Sequence, residues 1–284
     1  MLKIDSHQHF WHYNSNAYGW ISDEMSVIRR DFLPDDLRKE IAPAGVSGVI
    51  SVQASQTLKE TRWLLELATR DDFIKGVVGW APLIDSKVDQ VLATLSTNSK
   101  LVGVRHVLQD EPDPLFMLRE DFNRGIGQLK RLGLPYDILI FERHLPQTIE
   151  LVDRHEQQVF IVDHLAKPRV KDEQLSPWQE NIRELAKRPH VYCKLSGLVT
   201  EASYRHWTRD QLRPYMETVL SAFGPERTMF GSDWPVCLVA AGYKEWTDIV
   251  ADTVGSLSVA EQERIWSGTA IEAYKLFQTD LTCY

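Results

Sequence analysis

Four residues stand out for the chemistry that their types and spacing allow: His7, His9, His164 and Asp233. His7-Gln8-His9 directly follows a short apolar stretch. In extended backbone, side chains at i and i+2 point the same way. Both imidazoles can therefore address one point, as two nitrogen ligands of a metal or as a grip on one anionic group. Without a fold around it, such a pair reads equally as ordinary structure near the start of a chain. His164 closes the apolar run 159–162 within Asp163-His164-Leu165-Ala166-Lys167-Pro168. A strand of that pattern is buried on both faces, so an ionisable pair at its end needs partners. Either His164 is a third nitrogen ligand or proton carrier, or Asp163 simply fixes a turn. Asp233 lies in Phe230-Gly231-Ser232-Asp233-Trp234-Pro235, where Gly231 and Pro235 bracket a tight exit from a strand. A carboxylate there is costly unless a cation, a metal or a proton manages its charge. The bland alternative is a helix N-cap.

A second tier could contact substrate. Arg105 offers a rigid fork suited to a carbonyl or carboxylate, or else a strand-end ion pair with Asp110 or Glu111. Lys194 follows apolar Val191-Tyr192-Cys193 and is hard to bury alone; it would polarise a carbonyl, bind hydroxyls or pair with Asp233. His106 is a substrate contact or a histidine of the core rim. Trp11, Trp20 and Trp234 could wall off a methyl group, although aromatics near such a site commonly only pack. His12, His155, His190 and His206 are expected on the solvent side. Asp110, Glu111 and Asp113 belong to the loop after strand four, which either closes over substrate or, as expected here, is a solvated surface loop.

Something must carry these residues to one place. Eight short β-branched or apolar runs recur, at 3–6, 46–52, 74–80, 101–106, 136–141, 159–163, 191–195 and 228–231. Helical spacing fills the gaps, over 35–41, 57–69, 87–95, 121–132, 145–155, 177–187, 209–223 and 260–274. That alternation predicts parallel βα units, closed as a barrel or open as a doubly wound sheet. Eight units in 284 residues is the size of a (β/α)8 barrel. The polar residues also gather at strand ends, which in a barrel converge on one mouth and in an open sheet spread along an edge. The expectation is one α/β domain, a (β/α)8 TIM barrel over residues 1–284.

Composition narrows the partners. Hydrophobic residues make up 43% and charged residues 25%, with a net charge of −8 and scattered basic side chains. This argues against a nucleic-acid surface. Cys193, Cys237 and Cys283 are too few and too far apart for a disulfide framework, and fit a reducing cytoplasm. There is no apolar run of about 18 residues, so no membrane span is expected.

Taken together, His7-Gln8-His9-Phe10-Trp11, Gly103-Val104-Arg105-His106, Asp163-His164 with Lys167-Pro168, Lys194-Leu195-Ser196-Gly197, and the segment 230–236 resemble the amidohydrolase superfamily. The similarity runs nearly end to end. It is strongest to the branch of sugar lactonases and dicarboxylate lactonases, which includes L-fuconolactonases, L-rhamnonolactonases and 2-pyrone-4,6-dicarboxylate lactonases. The resemblance implies that Asp233 is the general base and that His7, His9 and His164 complete the catalytic and metal-binding set with it. Binuclear members carry a bridging Lys or Glu after strand four and a His after strand five. Here strand four ends in Arg105-His106, and His144 falls late, where a capping or surface role is expected. The resemblance thus implies at most one divalent metal ion, Zn2+ by preference, with metal-independent activity open.

The implied reaction is hydrolysis of a small sugar-acid lactone, with a decarboxylase of aromatic or enoic acids on the same barrel as the alternative. Several such decarboxylases have an acid in the strand-one motif, where this chain has His7-Gln8-His9. A binding module with a vestigial site is the non-enzyme reading; the presence of all four residues speaks against it. A homo-oligomer is compatible with the sequence.

Overall fold

The computed structural model describes residues 1–276, and Cys283 lies outside the described residues. Eight parallel strands follow one another in chain order around a single sheet. They are β1 (Ile4–Gln8), β2 (Gly48–Val52), β3 (Ile74–Gly79), β4 (Leu101–Val107), β5 (Tyr136–Leu139), β6 (Phe160–Val162), β7 (Val191–Leu195) and β8 (Thr228–Phe230). A helix follows each strand: α1 (Pro34–Ala44), α2 (Leu58–Arg70), α3 (Val88–Leu95), α4 (Glu120–Leu132), α5 (Leu145–Asp153), α6 (Trp178–Leu185), α7 (Arg209–Phe223) and α8 (Tyr243–Val254). The architecture is a (β/α)8 TIM barrel.

Most strand residues are apolar because both faces are covered. Tyr136 and Ile138 of β5, and Cys193 and Leu195 of β7, join the layer between sheet and helices. By alternation, Asp137 and Lys194 between them turn into the barrel. A second cluster gathers Ile4, Ile50, Val52, Val78, Val102, Ile161 and Met229 with Ala270, Ala273 and Tyr274 of the C-terminal segment. Local signals set the helix starts: Thr57 accepts from the Glu60 amide at 3.1 Å, and Thr208 accepts from that of Gln211 at 3.3 Å.

Two helical readings change. Helix α8 was not anticipated, although buried Tyr243, Trp246, Val250 and Val254 recur at helical spacing. The single helix expected over 260–274 is instead α9 (Val259–Glu263), a π turn at Arg264–Gly268 and α10 (Thr269–Ala273). No helix among the described residues is long and apolar enough to cross a membrane.

The barrel closes between β1 and β8 through side chains as much as through backbone. Asp5 is fully buried and accepts from the Ser232 amide (2.8 Å), the Ser232 hydroxyl (2.6 Å), the Tyr243 hydroxyl (2.9 Å) and the His7 amide (3.0 Å). Ser6 donates to the Phe230 carbonyl at 2.6 Å. Above these, the Asp233 amide donates to the His7 carbonyl (2.8 Å), and the His9 amide to the Trp234 carbonyl (2.7 Å). Asp5→Ala strands several buried donors, each costing about 1–3 kcal/mol. The expected outcome is a clear fall in the urea midpoint with little change in slope. An unchanged midpoint would show that the seam is held elsewhere.

Glu60 secures the loop after β2. It accepts from the Ala54 and Ser55 amides (2.9 and 2.7 Å) and from the Tyr18 hydroxyl (3.0 Å). Burial pushes its carboxyl up to about 7, against the opposing pull of those hydrogen bonds and of Arg105. The folded protein therefore keeps a proton that the unfolded chain releases near 4.5. Stability from this group is present at low pH and is lost as pH rises from 4.5 to about 7. Glu60→Gln is expected to flatten that part of the stability–pH curve, measured as thermal midpoints at pH 5 and pH 7.5. Parallel curves for the two proteins would contradict it.

Candidate active site

The site is assembled from the C-terminal ends of β1, β6 and β8. His7 and His9 leave β1, His164 follows β6, and Asp233 follows β8, so the structure brings all four to one point at the barrel mouth. The Asp233 Oδ1 lies 3.3 Å from His9 Nε2, 3.8 Å from His164 Nε2 and 3.9 Å from His7 Nε2. All four residues are almost entirely buried.

Each imidazole has its other nitrogen engaged. His9 Nδ1 donates to the Val52 carbonyl at 2.7 Å, His164 Nδ1 sits 2.8 Å from the Ser196 hydroxyl, and His7 Nδ1 lies 3.2 Å from Asp163 Oδ1. The Nε2 atoms of all three rings are thereby turned toward Asp233, the orientation that metal-binding histidines adopt. Burial lowers the His7 imidazole well below its ordinary range, partly offset by Asp163. Burial likewise lowers His164, to about 4, against the pull of Asp233 and Asp163. Both rings are therefore neutral near pH 7. Burial alone would raise the Asp233 carboxyl, but His164, the hydrogen bond from His9 and the nearby His7 together hold it well below the usual carboxylate range.

The backbone is bent hard to achieve this. His164, Leu165, Ala166 and Lys167 all have φ between +48° and +59°, and Asp233 has φ +59°. Such left-handed residues cost of order 1 kcal/mol or more each, and they persist where surrounding structure over-determines them. Gly197 faces the turn: a Cβ there would lie 2.5 Å from His164 Nδ1 and 3.0 Å from Asp233 Oδ2. Only glycine allows both groups to come so close.

Could these residues hold a cation? Donors around a tetrahedral Zn2+ bound at about 2.0–2.1 Å stand roughly 3.3 Å apart. The Asp233–imidazole separations approach that, and His7, His164 and Asp233 offer donor atoms all within 4.8 Å of one another. His7 and His164, kept neutral by burial, beside one ionised carboxylate make a donor set that fits a single divalent ion. The end of β4 supplies Arg105, a cation, where a second metal would need an anionic bridge.

Arg105 is committed to the scaffold. Its guanidinium donates to Asp163 Oδ2 (3.0 Å), to His7 Nε2 (3.3 Å) and to the Gln53 carbonyl. Its partner is thus Asp163 rather than Asp110 or Glu111. Lys194 departs further from expectation: fully buried, it lies 2.6 Å from Asp137 Oδ2 and 2.9 Å from Asp163 Oδ1, beneath the site and not paired with Asp233. His106 stacks on Phe116 and pairs with Glu111 at 2.6 Å. Trp11 and Trp234 pack behind the wall, against Phe32 and, for Trp234, also Phe10. None of Lys194, His106, Trp11 or Trp234 lines the cavity, which corrects their expected contact with substrate; Trp20 does line it. His144, expected at the surface, is buried, and His155 and His190 are half-buried.

The cavity above Asp233 measures about 360 Å3. It is walled by Trp20, Val107, Leu139 and Phe141, and carries polar groups from Gln109, Asp110, Lys167, Glu201 and Tyr204. Sequence reasoning gave no site role to Glu201 or Tyr204, and it missed Asp137. An acid inside an apolar strand, matched by Lys194 on β7, was the available signal for Asp137.

Fold and relatives together define a barrel hydrolase, with His7, His164 and Asp233 at its mouth placed where they could hold a metal ion. The chain belongs to the amidohydrolase family, whose sequence pattern it matches over residues 4–276. It is 43% identical to an L-fucono-1,5-lactonase of Burkholderia multivorans, with 97% of this chain and 96% of that protein covered. It is 33% identical to an L-fucono-1,5-lactonase of Burkholderia ambifaria, covering 97% and 96%. A crystal structure of an amidohydrolase from Burkholderia multivorans with bound zinc superposes with a TM-score of 0.94 at 42% identity, over 97% of this chain and all of that one.

Removing a donor tests the cation site directly. His164→Ala is expected to weaken Zn2+ binding in calorimetric titration by more than about tenfold, which is the cost of removing even a ligand's hydrogen-bonding partner. Equal Zn2+ affinity in wild type and variant would place any ion elsewhere.

Proposed function

We propose that this protein opens the ring ester of a sugar-acid lactone of the L-fucono-1,5-lactone type, within a sugar-oxidation route. The observation that carries the reading is one ionised carboxylate, Asp233, faced by three imidazole Nε2 atoms under a small mixed cavity. The two relatives above 30% identity, both named as lactonases, support it. Decarboxylation has no comparable support.

A lactone is an uncrowded, activated ester. Hydrolysis needs a base for water, stabilisation of the developing oxyanion, and a proton for the leaving alkoxide. Asp233 accepts a proton from water as the water oxygen attacks the carbonyl carbon. The ring C–O bond then breaks, and Asp233 returns that proton to the alkoxide. The new carboxylic acid releases its own proton at neutral pH, so the balance is lactone plus water to hydroxy-carboxylate plus H+. Ligands drawn from His7, His9, His164 and Asp233 would hold a Zn2+ ion with one position left open, which when bound supplies Lewis-acid polarisation and a water acidified toward pKa ~7. The chain itself supplies the fixed orientations: Val52, Ser196 and Asp163 lock the imidazoles, and Arg105 adds positive potential beside His7.

Cavity chemistry narrows the substrate. Trp20, Leu139 and Phe141 offer an apolar patch for a deoxysugar methyl, while Gln109, Asp110 and Tyr204 offer hydroxyl partners. A library of sugar-acid lactones, followed by acid release and metal analysis of the same sample, tests the reading; lack of turnover across the library would refute it. Asp233→Asn is expected to cut kcat by about 10³-fold while the thermal midpoint stays within a few degrees. Full activity in that variant would remove Asp233 from the role of base.

A further inference from the structure

Ring opening turns a neutral ester into an anion within a cavity that already holds ionised Asp233. The new carboxylate needs a cation to be bound and guided out. Two basic side chains line the cavity, Arg105 and Lys167. Arg105 is tied on both its terminal nitrogens to Asp163, His7 and Gln53. Lys167 is placed differently. Its ion pair with Glu201 is loose at 3.6 Å, and its ammonium hangs 5.3 Å from the Phe141 ring centroid. Side chains of both Lys167 and Glu201 are only about a fifth exposed, at 18% and 19%. A half-buried ammonium with one long-range partner retains donors for a further acceptor. The left-handed turn 164–167 that sets His164 also carries Lys167 to the rim of the same cavity.

We propose that Lys167 is the cation that receives the carboxylate made by ring opening, and that Glu201 holds and counterweights it, so that this pair sets the affinity for the acid product. The inference rests on the lactonase reading and identifies a product-binding group within it. Lys167 thereby takes the carboxylate recognition that the sequence alone offered to Arg105. The same ammonium, offered to the carbonyl oxygen before attack, favours substrates whose carbonyl points to the β6 side of the mouth.

Opposite signs in two variants test the pair. Binding of L-fuconate and L-rhamnonate is measured by calorimetry, with L-fucose and L-rhamnose as uncharged controls. Lys167→Met is expected to weaken binding of the acids at least tenfold and leave the neutral sugars within about threefold. Lys167→Arg keeps the acids within about threefold of wild type. Glu201→Gln removes a competing carboxylate and is expected to tighten binding of the acids severalfold. Acid binding unchanged in a folded Lys167→Met, or an equal loss for acids and neutral sugars, would overturn the proposal, as would a wild-type protein that binds neither acid. Failure of the lactonase reading would instead appear as no lactone turnover by wild type, a separate measurement.

Discussion

A barrel of eight parallel strands must close on itself, and here the closing seam lies between the first strand and the last. Asp5 gathers the Ser232 amide and hydroxyl, the Tyr243 hydroxyl and the His7 amide onto one buried carboxylate. Two residues further toward the mouth, the backbones of His7 and Asp233, and of His9 and Trp234, exchange hydrogen bonds directly. The seam thus sets the distance between the paired histidines and the aspartate. His164 arrives separately, on a turn whose backbone is strained into place and whose close packing depends on Gly197.

Beneath that surface lies a second polar layer. Lys194 bridges Asp137 and Asp163, Arg105 caps Asp163 from the other side, and Tyr274 donates to Asp137 at 2.7 Å. Burying so many charges is expensive, and well-packed apolar side chains would serve stability as well. Burial does push the Asp137 carboxyl upward, against the pull of Lys194. What the layer achieves is orientation: Asp163, kept ionised between two cations, lies 3.2 Å from His7 Nδ1 as an acceptor and so turns Nε2 toward Asp233. A network of this kind exchanges some stability for a defined ring geometry.

Much of this was legible before any coordinates. The eight apolar runs fall on the eight strands, because a buried parallel strand announces itself by continuous β-branched residues. The four residues singled out for chemistry do converge, because each follows a strand end. What could not be read was depth. Lys194 and His106 occupy strand ends just as Arg105 does, yet one turns into the barrel below the site and the other turns away onto Phe116. A one-residue difference in where a strand stops decides this, and strand ends are where periodicity is weakest. Trp11 and Trp234 looked like walls because they flank the right residues; in a tightly packed seam, that proximity means burial. Lys167 entered only as part of a resembling motif and Glu201 carried no signal beyond its type, since the left-handed turn that places Lys167 is built from residues that rarely adopt it.

The seam has a bearing on how the protein comes into being. Ser232 and His7, whose atoms meet there, are 225 positions apart in the chain. The first strand's partners across the seam are synthesised only 225 residues after it. Until then β1 has only β2 beside it, and the histidines have no carboxylate to face. The three imidazoles and the carboxylate therefore come together only when the last strand has closed on the first.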